Sequence, residues 1–259
     1  MKYTENGSLL DDAFSNMKMD FVLANPPFNQ DPWGAGAVKD DVRWKYGTPP
    51  DSNANYAWMQ HFLHHLAPNG RAGFVMANGS MTTTAHNEGD IRKGLIEDDV
   101  VDCIVALPPQ LFFSTGIPVC LWFFDRDKAS SGERDRRGEI LFIDARQMGE
   151  AVSRKQIRLS DEDVAEIART YHAWRGQPEA GEYEDRPGFC RAATLEQVEA
   201  QGFGLSPGRY VGAAETVDDE VAFETRMIEL IERLSLDLSL ADELTAEVRS
   251  ALGAVGYDV

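Results

Sequence analysis

Apolar residues follow two rhythms along the chain, short unbroken runs and helix-spaced stripes, and the two alternate. The first run, FVLA at 21–24, is continuous and rich in strand formers, the pattern of a strand covered on both faces. Asn25-Pro26-Pro27-Phe28 ends it. Residues 29–52 lose the rhythm and carry glycine and proline interruptions together with Trp33, Trp44 and Tyr46, so they read as a long loop, of a length tied to function or to disorder. In NANYAWMQHFLHHL, 53–66, Met59, Phe62, Leu63 and Leu66 fall at i, i+3, i+4 and i+7, which predicts an amphipathic helix capped by Asn53 or Asn55. RAGFVMAN (71–78) predicts the next strand, EGDIRKGLIEDD (88–99) a helix, and VVDCIVALP (100–108), IPVCLWFFD (117–125) and GEILFIDAR (138–146) three more strands.

The charged, glycine-containing segment between the last two runs is too short and polar for a packed crossover helix, so these two strands are expected to pair antiparallel. SDEDVAEIARTYHAWR (160–175) opens with Ser160 and Asp163 in a capping-box arrangement and repeats Val164, Ile167, Ala168 and Tyr171 at helical spacing. A Gly/Pro/Glu-rich loop follows at 176–188, then a short helix in TLEQVEAQ and the segment FGLSPGRYVG, 203–212. The alternation predicts an α/β fold with an antiparallel edge. Beyond residue 212 two stripes, Phe223 to Leu234 and Leu240 to Leu252, predict a helical hairpin.

The balance of 25 Lys+Arg against 43 Asp+Glu, net −18, argues against a chain that grips nucleic acid over most of its own surface. Residues 215–259 hold 12 acids and 3 bases, half of that net charge. Cys103, Cys120 and Cys190 are widely and oddly spaced, as buried reduced thiols are, and neither a signal-like segment nor a membrane-length apolar run occurs. A soluble, cytoplasmic protein is the expectation.

The chemistry concentrates at 25–28. An exocyclic amine on an aromatic ring is a poor nucleophile because its lone pair is delocalised. Two acceptors aimed at its hydrogens return that pair to nitrogen. Asn25 offers a side-chain oxygen, Pro26 a main-chain carbonyl stiffened by fixed proline φ, and Phe28 a flat surface for the ring. The plain alternative is a turn with Phe28 in the core. The position of the motif at the end of a buried strand, where α/β sheets place ligands, favours chemistry. Among other candidates, Asn78 and Ser80 end a strand and are candidates to line a pocket, Trp33 and Trp44 either wall it or pack beneath their loop, and Arg209 is a lone phosphate candidate. His61 and His65 sit at i, i+4 without a third ligand at motif spacing, so no metal site is expected.

DFVLANPPFNQ resembles the [DNS]-P-P-[FYW] motif of adenine-N6 DNA methyltransferases. With GRAGFVMANGSM, the stretch from IRKGLIEDD through LPPQLFFSTGIPVCLWFFDRD, GEILFIDAR and LSPGRYVG, residues 15–212 resemble the methyltransferase (M) subunit of type I restriction-modification systems. The resemblance implies the C-terminal half of a Rossmann-like sheet dependent on S-adenosylmethionine, residues 1–212, followed by an acidic helical tail, 213–259, that docks on a specificity subunit. It implies that Asn25 and Pro26 hold the amino group of a flipped-out adenine, that Phe28 stacks on it and that Pro27 fixes their geometry, with Trp33 and Asn78 near the substrate. DNA, the specificity subunit and a restriction subunit are the implied partners, and self-association is a further possibility. The family's F-x-G-x-G strand and loop for the cofactor is not found in these 259 residues, and GAG at 34–36 follows no strand. The chain by itself is therefore expected to be inactive, with an exposed edge on its first strand. The motif alone also fits glutamine-N5 or guanine-N2 methyltransferases, and a non-catalytic assembly module is the other reading.

Overall fold

The computed structural model describes residues 8–112, 115–129, 133–154 and 156–213, with scattered helical positions between 227 and 248. The chain divides into two units, 1–214 and 215–259. The first is built on six strands: β1 (Met19–Ala24), β2 (Leu66–Ala77), β3 (Val101–Ala106), β4 (Val119–Asp125), β5 (Glu139–Asp144) and, past a small two-stranded ribbon of β6 (Glu150–Ser153) and β7 (Gln156–Arg158), β8 (Cys190–Thr194). The sheet runs β1-β2-β4-β3-β5-β8. β1 and β2 are parallel, as are β3 and β5, while β4 is antiparallel to both of its neighbours and β8 to β5.

Helices α1 (Asn55–His65), α2 (Glu88–Glu97) and α4 (Leu195–Ala200) belong to one side, where Tyr56, Met59, Ile91, Leu95 and Val198 pack with Phe74, Trp122 and Phe142 of the sheet. On the other side α3 (Asp161–Trp174) lays Trp174, Ile167 and Tyr171 over Cys103, Val105, Leu141 and Ile143. The Ser160/Asp163 capping box that starts α3 is present in both directions. Segment 203–211 closes the first side, with the Tyr210 ring stacked on Phe142 at 3.8 Å.

The expected pairing of 117–125 with 138–146 is not found. β4 lies between β2 and β3, and β5 pairs with β3 on the far side. The physical reason is that the polar connection is not a solvated hairpin. Part of its charge is internal: Arg136, fully buried, bonds Asp125 at 2.8 Å and Glu133 at 2.9 Å and reaches Asp102 at 3.3 Å. Arg175 joins Glu133 at 2.6 Å, and Lys128, buried as well, holds Asp99 at 2.6 Å. The antiparallel edge exists, but β8 supplies it. Short runs such as CRAAT carry too little apolar patterning to be read as a strand.

Among the described residues β1 has a partner on one side only. Val22 and Ala24 join the α1 side of the core, whereas Phe21 and Leu23 are 73% and 87% exposed and border a trough of about 290 Å³ shared with Phe123 and Tyr171. All three cysteines are free and buried. No helix among the described residues is long and apolar enough to cross a membrane. The hairpin expected in the tail falls largely outside the described residues. Those described there are helical, and Met227, Ile231, Leu234, Leu244 and Val248 are exposed.

Candidate active site

β1 delivers Asn25 at its C-terminal end, on the same side of the sheet as the ends of β2, β3 and β5. Asn25 is exposed, Pro26 buried, Pro27 exposed and Phe28 half-buried. Two anchors hold this turn. The Phe28 ring meets Phe112 edge-on at 6.0 Å, which ties it to the loop after β3. Asn29, at φ 49°, accepts from the Asn55 side-chain amide at 2.9 Å, while its own N–H donates to Asn55 Oδ1 at 3.1 Å. A left-handed φ is tolerated by asparagine better than by most residues. Asn55 therefore brackets the clamp to the first turn of α1 and does not cap that helix. Asn53 takes the cap-like role, accepting from the Asn55 N–H at 3.0 Å.

Among the described residues neither the Asn25 side-chain amide nor the Pro26 carbonyl has a hydrogen-bond partner within the chain. Holding an exocyclic amine requires two acceptors that are left open in this way.

The 29–52 loop is ordered around its own small core of Trp33, Trp44, Ala35, Leu9, Ala54 and Ala57. Trp33 is only 4% exposed, its indole N–H donates to the Pro50 carbonyl at 2.7 Å, and its ring meets Trp44 at 5.9 Å. Its geometry is that of packing beneath the loop. The Gly34 and Ala35 N–H groups both donate to Asp51, so this glycine pair serves the loop itself. Asn78 follows β2 in a short 3-10 turn. Its N–H donates to the Pro118 carbonyl at 3.1 Å, and its buried Oδ1 lacks a partner. Ser80 belongs to the core: its hydroxyl accepts from Trp122 at 3.1 Å and its carbonyl from the Tyr56 hydroxyl at 2.6 Å. Arg209 is exposed on the turn after Pro207.

The structure does bring a third group to the histidine pair. Asp12, His61 and His65 have ligand-type atoms within 4.8 Å of one another. They bond each other and their surroundings, however. His65 contacts Asp12 Oδ2 and the Met17 carbonyl, each at 2.9 Å, and His61 Nδ1 faces the Arg43 guanidinium at 3.0 Å. A guanidinium at that distance opposes a second cation. Both imidazoles are buried rather than solvated, and burial, reinforced by His65 and Arg43, lowers the His61 pKa to about 4. Burial pushes the Cys120 thiol up to about 12, so it offers no thiolate nucleophile.

The Asn29–Asn55 bracket and the Phe112 contact were not anticipated. An asparagine directly after the motif was the available signal for the first. The second depends on a loop 84 residues away and leaves no local trace.

A family model described as N-6 DNA Methylase matches residues 1–219. The chain belongs to that family. Among N-6 DNA methylases it is 48% identical over 241 residues to the Type I restriction enzyme HindI methylase subunit of Haemophilus influenzae, covering 93% of this chain and 52% of that one. It is 41% identical over 256 residues to the MjaIX methylase subunit of Methanocaldococcus jannaschii, covering 95% and 44%. The chain thus spans about half the length of these curated relatives. A solved type I restriction-modification methyltransferase subunit from Streptococcus thermophilus matches with TM-score 0.68 and 27% identity over 80% of this chain and 41% of that one. The EcoKI M protein shares the fold at TM-score 0.57 and 20% identity over 92% and 52%. The sheet is that of a type I restriction-modification methyltransferase subunit, and the expected membership in an N6 DNA methylase family is met.

Proposed function

We propose that this chain carries the target-base portion of an adenine-N6 DNA methyltransferase working within a type I restriction-modification assembly. The observation that supports it is the pair of open acceptors, Asn25 Oδ1 and the Pro26 carbonyl, at the C-terminal end of the edge strand β1 and beside a half-buried aromatic ring. In this reading an adenine leaves the duplex, Phe28 stacks on it, and the two acceptors bind the N6 hydrogens and raise the nucleophilicity of N6. Stacking and hydrogen bonds offset the few kcal/mol that extrusion costs. Asn78, with its unpartnered Oδ1, is a further substrate-side candidate.

S-adenosylmethionine supplies the electrophilic methyl group when bound. The residues present do not make its cradle: among the described residues no strand runs into a glycine-rich loop, and the N–H groups at 34–35 serve Asp51. No step is assigned to this chain toward the cofactor. DNA and the specificity subunit are the proposed partners, with the acidic 215–259 segment docking on the latter, in the cytoplasm. A second reading, an assembly module without catalysis, draws on the bare apolar side of β1.

Asn25→Ala separates the two readings. Residue 25 is exposed, so the fold is expected to persist. In an active assembly containing this chain, N6-methyladenine formation is expected to fall by about 10²–10³-fold, the loss typical of removing one preorganised transition-state contact. Equal rates for the two proteins would sink the assigned role.

A further inference from the structure

The β6–β7 ribbon leaves the sheet at the C-terminal end of β5, the side on which the clamp lies. The Ile157 N–H donates to the Gln110 carbonyl at 3.0 Å. Gln110 belongs to the same loop as Phe112, whose ring meets Phe28. One loop therefore joins the ribbon to the clamp. The entry to the ribbon is sterically closed: at Gly149, φ 92°, a Cβ would lie 2.8 Å from Ile157 Cγ2 and 3.0 Å from the Arg158 carbonyl oxygen.

Arg154 in the ribbon's turn and Arg158 on β7 are exposed, and among the described residues neither side chain has an ion-pair or hydrogen-bond partner. Other arginines of this unit, among them Arg43, Arg71, Arg136, Arg146 and Arg186, are tied to carboxylates. The acids close by in sequence do not neutralise the pair. Glu150 faces Arg158 in register without closing an ion pair, and Asp163 is engaged with the Ser160 cap. Asp161 and Glu162 lie in the first turn of α3. On a chain of net −18, solvated guanidinium groups at the end of the sheet that also carries Asn25 to Phe28 match the chemistry of a phosphodiester.

We propose that the β6–β7 ribbon is a backbone-contacting arm, with Arg154 and Arg158 each meeting a phosphodiester of the duplex next to the extruded base. The proposal rests on the adenine-methylation reading above. It is tested in an active assembly containing this chain by measuring duplex DNA affinity across salt concentrations. Each phosphate contact contributes about 0.9 to the slope of log K against log salt. The R154A/R158A pair is expected to flatten the slope by about 1.8 and to weaken specific and non-specific duplexes alike. The R154K/R158K pair is expected to restore the slope, because charge suffices at a phosphate, whereas a packing role for the guanidinium groups would not be restored. An unchanged slope in the alanine pair overturns the arm. Asn25→Ala in the same assay keeps the failures apart: an unchanged alanine-pair slope with a methylation-dead Asn25→Ala removes the arm alone, and an Asn25→Ala protein that still methylates removes the reading beneath it.

Discussion

His61 stands between Arg43 at 3.0 Å and the ring of His65 at 4.6 Å, out of contact with bulk water. Its pKa falls from 6.5 to about 4 on folding, so the folded chain keeps the imidazole neutral where the unfolded chain protonates it. Stability from this group is fully present above about pH 6.5 and is lost as pH drops toward 4. Unfolding free energy measured in urea is expected to decline through that window, and His61→Asn, which keeps an acceptor for Arg43, is expected to flatten the decline. An equally steep decline in the variant would assign the effect elsewhere, His64 being the other histidine nearby with a lowered pKa. At this same scale the placement of Asn25 to Phe28 at the end of a strand was legible, because the apolar run before them and the two prolines mark it. The packing of Trp33 beneath its loop was one of two open readings, and the burial of Ser80 was not legible, since a side chain's direction depends on contacts from distant segments such as Pro50 and Trp122.

The element that departs most from its local pattern is the connection 126–138. Its composition is that of a solvated loop, yet Arg136 sits at 0% exposure among Asp102, Asp125 and Glu133. Arg136→Met is expected to cost about 3–5 kcal/mol in chemical denaturation, because it strands buried carboxylates. Arg137→Met, next in sequence and exposed in its pair with Asp135, is expected to leave the unfolding free energy unchanged. Equal effects would mean that the buried network does not staple the crossing. Element identities were readable from periodicity, and the observed β2, α1, α2, β3 and α3 overlap the predicted runs. Strand order was not, because the partner of β4 is set by where a polar crossing finds its counter-charges, which are up to 62 residues away in sequence.

For the molecule as a whole, the exposed Phe21 and Leu23 beside an unpaired strand edge form a surface that proteins ordinarily cover or charge. The 259-residue chain in isolation is expected to self-associate with concentration in sedimentation velocity runs. Leu23→Lys is expected to shift it toward the monomer without lowering its melting temperature, and an unaltered distribution would show that this edge is not the sticky one.

The same edge bears on motion. A strand hydrogen-bonded on one side only has alternate amides facing a neighbour and facing solvent, so half of the amides of β1 lack cross-strand protection against exchange with water. Opening β1 requires breaking a single ladder, and its local opening free energy then lies below that of the sheet interior. The two acceptors proposed to hold an incoming amine, Asn25 Oδ1 and the Pro26 carbonyl, ride at the tip of this strand, and their positional spread is bounded by that opening equilibrium more than by the stability of the core behind them.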